Sequence, residues 1–91
     1  MSFEIIYQPR VVNEDIPNLP KVMKMRIRDA IESKLSLEPE IFGKPLRNSL
    51  YGLRKLRVGD YRVIFEIDGK TVIIFMIQHR SVVYVNALKR L

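Results

Sequence analysis

The sequence predicts an α+β domain, in which one N-terminal strand plus a three-stranded meander forms an antiparallel sheet packed against two N-terminal helices. Three observations predict it. Two glycine-containing doublets, Gly59-Asp60 and Asp68-Gly69, divide the C-terminal half into three strand-like runs. A helical apolar period precedes those runs, and a short apolar run ending at Pro9 opens the chain. With 91 residues, nearly half of them hydrophobic, the chain is enough for a single domain spanning residues 1–91 with its own core.

In chain order, Phe3 to Gln8 reads as the first strand. Arg10 to Ile16 forms a short helix with Val12 and Ile16 on one face, restricted at its end by Pro17. The second helix starts near Pro20, which suits a first turn. Met23, Ile27, Ala30, Ile31, Lys34 and Leu35 carry its spacing, and Glu38-Pro39-Glu40 stops it. Its methionines read as core filler. Ile41 to Ser49 is rich in turn formers and reads as a loop. Strands then run from Tyr51 to Val58, Tyr61 to Ile67 and Lys70 to Gln78, and the last residues close with a short strand or helix.

Two-residue loops fix the pairing of the strands they join. Around Gly59-Asp60, Val58 faces Tyr61, Arg57 faces Arg62 and Lys55 faces Ile64. Around Asp68-Gly69, Phe65 faces Val72, Val63 faces Ile74 and Arg62 faces Phe75. Alternation then collects Leu56, Val58, Val63, Phe65, Ile67, Val72, Ile74 and Met76 on a core face. The opposite face carries Lys55, Arg57 and Arg62 together with Ile64, Glu66, Ile73, Phe75 and Ile77. Arg54 points away from that cluster, to serve structure or to pair with a helix carboxylate. Like charges opposed across a hairpin destabilise it. Arginine forks match phosphate oxygens, so a phosphate between these cations would offset the repulsion. Long cations extended over a solvated face are the plainer reading.

The charge is one-sided. Residues 1–45 hold seven Lys/Arg against seven Asp/Glu, whereas residues 46–91 hold nine against three, which accounts for the whole net charge of +6. Such a field attracts polyanions or an acidic protein. Past the last strand stand the single histidine, His79, then Arg80 and Tyr84. His79 falls near the cationic face by parity, and histidine is a residue type suited to general acid or base work. Strict alternation sends Arg80 to the other face, unless the strand bulges near Gln78. One histidine, no cysteine and scattered acids argue against a metal site or a disulfide framework, and no phosphate-binding glycine motif is present. No stretch has the pattern of a signal peptide, and the longest apolar run, Val72 to Ile77, is too short to span a bilayer, which predicts a cytoplasmic protein.

The stretch KPLRNSLYGLRKLRVGDYRVIFEIDGKTVIIFMIQHRSVVY resembles the RelE family of the RelE/ParE toxin superfamily, most specifically in GLRKLRVGDYRVIFEI and in His-Arg followed by Val-Tyr. The resemblance implies a RelE-like fold and the toxin of a type II toxin–antitoxin pair. It further implies an mRNA interferase that cuts translated mRNA in the ribosomal A site without metal or cofactor. The ribose 2′-OH attacks the adjacent phosphate, giving a 2′,3′-cyclic phosphate and a 5′-OH. Residue by residue, Arg62 matches the arginine on the scissile phosphate, and Lys55 a lysine serving as base or charge stabiliser. Arg80 matches the arginine after the last long strand, and Tyr84 a tyrosine that stacks on a base or transfers a proton. Arg57 and His79 join as RNA-binding residues. Some family members carry a further lysine at the position of Leu53. A guanidinium is a poor base, so Lys55, His79 and the ribosome's own RNA stand as alternatives for that role.

The implied partners are a cognate antitoxin, mRNA and the ribosome, with operator DNA reached only through the antitoxin. Ile64, Ile73, Phe75 and Ile77 either dock the antitoxin or lie beneath the chain's own segment from Val85 to Leu91. Rival functions are inhibition of DNA gyrase, as by ParE-like toxins, and a catalytically silent antitoxin-binding module.

Overall fold

The computed structural model describes residues 2–91. Strand β1 is Glu4–Tyr7 and stops before Pro9. A wide π-helical turn over Val11–Asp15, closed by Ile16 N–H on the Val11 carbonyl, tightens to a 3-10 turn over Ile16–Asn18. The predicted short helix is therefore present but rotated. Val11 and Asp15 point inward while Val12 is half exposed. The Asp15 carboxylate has buried partners, described below, and these turn its face towards the sheet. Helix α1, Lys21–Ala30, continues through a second wide turn, Ile31–Leu35. Ile27, Ile31 and Leu35 form its buried stripe at four-residue spacing.

Pro39 ends one helix and starts another, the single turn α2, Pro39–Phe42, where its fixed φ and missing N–H cost nothing. The region predicted as a loop holds more structure than expected. After α2 come a two-residue strand β2, Lys44–Pro45, and a 3-10 turn, Asn48–Leu50. The meander follows as β3, Arg54–Val58, β4, Tyr61–Asp68, and β5, Thr71–His79. The chain closes with a helix, α3, Val83–Arg90. None of these helices is long and apolar enough to cross a membrane.

The sheet order is β1-β5-β4-β3-β2. It is mixed rather than wholly antiparallel, because β1 runs parallel to β5, with Glu4 opposite Thr71 and Tyr7 opposite Ile74. A parallel pair needs a long crossover connection, and the helices between β1 and the meander supply it. The β3–β4 pairing is as read from the turn, with Arg57 opposite Arg62, Lys55 opposite Ile64 and Val58 opposite Tyr61. The β4–β5 pairing is not. Its two-residue loop is Gly69-Lys70, since Asp68 pairs with Thr71. Gly69 has φ +60° and Gly59 φ +59°, so each hairpin places its glycine first in the loop, where a type II′ turn needs it.

A β-bulge then shifts the register. Phe65 pairs with Ile74, but the next residue back, Ile64, pairs with Met76, so Phe75 has no partner on β4. Beyond the bulge the faces of β5 exchange. Ile77 packs with Val63 and Ile74 against α1, and Met76 packs with Ile64 on the other side. Met76 and Ile77 thus occupy each other's predicted faces. The run from Val72 to Ile77 is apolar at every position, so no period-2 signal marks where the slip occurs.

Two cores result. The larger unites Ile27, Ile31 and Leu35 with Leu56, Val63, Phe65, Val72, Ile74 and Ile77. The smaller sets Ile64 and Met76 beneath Val83 and Ala87 of α3, edged by Leu53, Phe75 and Tyr84. The chain's own last helix therefore covers Ile64. Leu53, the position at which the resemblance would allow a further lysine, is an apolar prop for that helix. At the junction after α2, Gly43 is buried, and a Cβ there would fall on the Phe65 ring. Gly43→Ala is expected to lower stability by ~1–3 kcal/mol through overpacking, read as a lower urea midpoint. An unchanged midpoint would show that Phe65 has room to move.

Candidate active site

Lys55, Arg62, His79, Arg80, Ser81 and Tyr84 line one open cavity of about 440 Å³ at the end of the sheet. β3 supplies Lys55, the start of β4 supplies Arg62, and the end of β5 supplies His79. Arg80 and Ser81 lie in the turn that leads into α3, whose first turn carries Tyr84. That helix begins at the cavity, so its N-terminal dipole adds positive potential to the cations.

The bulge decides the membership of this group. Gln78 pairs with Arg62 on the cationic face, so alternation from Gln78 brings Arg80 to that face as well. Sequence reasoning made Arg80's inclusion conditional on a bulge near Gln78; the bulge lies at Phe75 and has the same effect. His79 moves the other way. It pairs with Tyr61, and their rings meet edge-on with centroids 5.4 Å apart. Being at the strand end, His79 still reaches the cavity rim.

Each side chain is held by its neighbours. Arg62 Nη1 donates to the carbonyls of Gly59 (3.0 Å) and Tyr61 (2.9 Å), anchoring the guanidinium on the β3–β4 turn. A guanidinium has five donors, so this anchoring leaves others for a ligand. The Lys55 ammonium lies 5.7 Å from the centre of the Tyr84 ring, a cation–π contact. Arg80 Nε stands 3.6 Å from Asp60 Oδ1, and its backbone N–H donates to the Asp60 carbonyl at 2.8 Å. Both side chains are largely exposed, so this pair guides Arg80 more than it stabilises the fold. The Ser81 backbone N–H donates to His79 Nδ1 at 3.1 Å, with Ser81 Oγ 2.8 Å from the same nitrogen. The neutral ring therefore carries its proton on Nε2 and presents a donor there.

Arg57 is exposed on the same face, opposite Arg62, but outside the cavity lining. Arg54 serves structure. Its Nη1 donates to the carbonyls of Gly43 (3.0 Å) and Glu40 (3.4 Å), with no helix carboxylate involved. Sequence reasoning missed Ser81 and Asp60. The sequence signal for both is adjacency, Ser81 following His-Arg and Asp60 sitting in the tight turn beside Arg62. It also missed Asp15 and Arg90, which lie 75 residues apart and meet as a buried ion pair at 2.8 Å.

The arrangement can bind a phosphodiester between three cations and offer it a proton acceptor and hydroxyl or imidazole donors. Cations aimed at developing charge lower the barrier to phosphoryl transfer without a bond of their own to the reacting atom.

Relatives of this chain carry toxin names. The family model described as ParE toxin of the type II toxin–antitoxin system parDE matches residues 5–84. Toxin RelG and Toxin RelE of Mycobacterium tuberculosis are 36% and 39% identical over 72 residues, in both cases 77% of this chain, and 83% and 74% of theirs. The crystal structure of the RelBE2 toxin–antitoxin complex from M. tuberculosis matches with a TM-score of 0.82 at 30% identity, over 88% of this chain and 100% of that one. A free Escherichia coli RelE variant matches with a TM-score of 0.74 at 20% identity, over 100% and 99% of the two chains, a likeness of fold.

Proposed function

The chain belongs to the RelE family of type II toxin–antitoxin toxins, within the RelE/ParE superfamily, and from that premise we propose that it is a metal-independent endoribonuclease acting on translated mRNA in the ribosomal A site. One observation carries the reading: Lys55, Arg62 and Arg80 converge with Tyr84 on a single cavity, although they come from four separate segments. A fold kept for protein binding alone has no need of that convergence.

In the proposed reaction Lys55, through its neutral form, takes the proton of the ribose 2′-OH. The 2′ oxygen attacks phosphorus, and the bond to the 5′ oxygen breaks. The leaving oxygen takes a proton from the Tyr84 hydroxyl. Products are a 2′,3′-cyclic phosphate and a 5′-OH. Arg62 and Arg80 hold the phosphate oxygens and stabilise the extra charge of the phosphorane. His79 Nε2–H donates to the RNA, and Arg57 extends the cationic track along the strand. Of the three alternatives for the base, His79 is the least suited, because Nδ1 already accepts the Ser81 N–H and Nε2 holds the proton.

Two of the solved relatives are toxin–antitoxin complexes, from M. tuberculosis and Methanococcus jannaschii. By extension this chain has an antitoxin partner, through which it reaches operator DNA. The family model's ParE description supports a second reading, inhibition of DNA gyrase. Parallel assays separate the two: programmed ribosomes with mapped RNA 5′ ends, and gyrase supercoiling. Loss of supercoiling with intact mRNA would establish the second.

Tyr84→Phe is expected to slow single-turnover cleavage by about tenfold with binding unchanged, since His79 and solvent remain to protonate the leaving oxygen. Unchanged kinetics would show that the hydroxyl takes no part.

A further inference from the structure

Asp15 and Arg90 form an ion pair whose side chains are 1% and 6% exposed. Buried pairs are seldom the most stable choice for a core position, since apolar residues of similar volume often do as well. Arg90 Nε, moreover, is buried with no hydrogen-bond partner among the described residues, a further cost. What the pair touches explains its presence. β1 ends opposite Ile74, so β5 beyond that point lacks a neighbour strand on its outer edge. Asp15 Oδ2 accepts the Ile77 N–H at 3.0 Å, and Arg90 Nη1 donates to the Phe75 carbonyl at 3.2 Å. These are backbone groups at the bulge itself.

The contact continues into α3. Asp15 Oδ1 accepts from Gln78 Nε2 at 3.1 Å, and Gln78 Oε1 accepts from Asn86 Nδ2 at 2.6 Å. Arg90 and Asn86 therefore fasten to β5 the same helix that presents Tyr84. We infer that the Asp15–Arg90 pair is a positioning device for the phosphate site: by completing the hydrogen bonds of the β5 bulge, it fixes the register that turns Arg80 onto the face of Lys55 and Arg62. The catalytic part of this inference rests on the endoribonuclease reading; the register part does not.

The test uses the full chain and two double variants. Asp15→Leu with Arg90→Met replaces the pair by apolar groups and leaves the bulge backbone unsatisfied. Asp15→Asn with Arg90→Gln removes the charge but keeps an acceptor for Ile77 N–H and a donor for the Phe75 carbonyl. Inter-strand NOEs between Ile64 and Met76 and between Arg62 and Gln78 report the register in the free protein. The apolar pair is expected to lose these NOEs, and to lower single-turnover kcat by about 100-fold with KM within about threefold, as misplacement of a charge stabiliser does. The amide pair is expected to keep the NOEs and to keep kcat within about threefold of the parent. An apolar pair that retains both register and rate overturns the inference. So does an amide pair that folds but loses either one, and this arm decides the case even if the apolar pair does not fold. Should the parent protein cut no RNA, the endoribonuclease reading fails while the NOE arm still tests the register.

Discussion

Arg62→Ala is expected to reduce single-turnover cleavage of programmed ribosomes by about 100- to 1,000-fold, the cost of removing one preorganised charge stabiliser. The expectation follows from how Arg62 is held. Its Nη1 is already bonded to the Gly59 and Tyr61 carbonyls, so the guanidinium is in place before substrate arrives. Little reorganisation then remains for the transition state. Arg62→Lys should recover little of the loss, because an ammonium on a flexible stem cannot reproduce a fork anchored at one end. The fold should not suffer, since the residue sits opposite Arg57 and its removal relieves repulsion. A folded Arg62→Ala protein cleaving at the parent rate would sink the assignment.

The second large effect concerns Lys55. Lys55→Arg keeps the charge and places a guanidinium near the Tyr84 ring, yet it cannot accept a proton near neutral pH. If Lys55 is the base, Lys55→Arg and Lys55→Ala should both fall by about 100-fold or more in single-turnover rate. A Lys55→Arg enzyme near the parent rate, beside an inactive Lys55→Ala, would make Lys55 a charge stabiliser and move the base to the ribosomal RNA. Binding should separate the variants in the other direction. Lys55→Ala is expected to weaken association with the substrate and to flatten its salt dependence, whereas Lys55→Arg leaves both nearly unchanged.

Much of this site was legible because one turn was legible. Gly59-Asp60 is a tight hairpin loop bounded by alternating residues, and it dictates the opposition of Arg57 and Arg62 and the place of Lys55. The second hairpin was misread by a single step at its loop, Gly69-Lys70 in place of Asp68-Gly69. Before the bulge this moved each pair by two residues along β5, and an even shift preserves the faces. Val72 and Ile74 consequently stay in the larger core. The bulge is another matter. Its residue, Phe75, lies within six consecutive apolar residues, and a strand covered by α1 on one side and α3 on the other has no polar face to mark the register. The partners that hold the bulge, Asp15 and Arg90, stand near opposite ends of the chain and have nothing local to announce them. The short helix at Val11–Asp15 is turned by one position for the same reason, because the acid Asp15 faces inward beside Val11 and the apolar Val12 does not.

The parallel pairing of β1 with β5 has a consequence in time. Glu4 finds Thr71 across 67 residues of chain, and Asp15 finds Arg90 across 75. Contacts of such separation form late and slowly, and a chain made from its N-terminus cannot form them until the distant partner has been synthesised. β1 is made before β5 and cannot pair with it until the segment from Thr71 to Ile74 has followed. The cationic cavity is incomplete until Arg80 and Tyr84 follow, and α3 cannot be fastened until Arg90 is made. A protein proposed to attack translating ribosomes thus has its active geometry withheld until its own segment from Arg80 to Arg90 has been made.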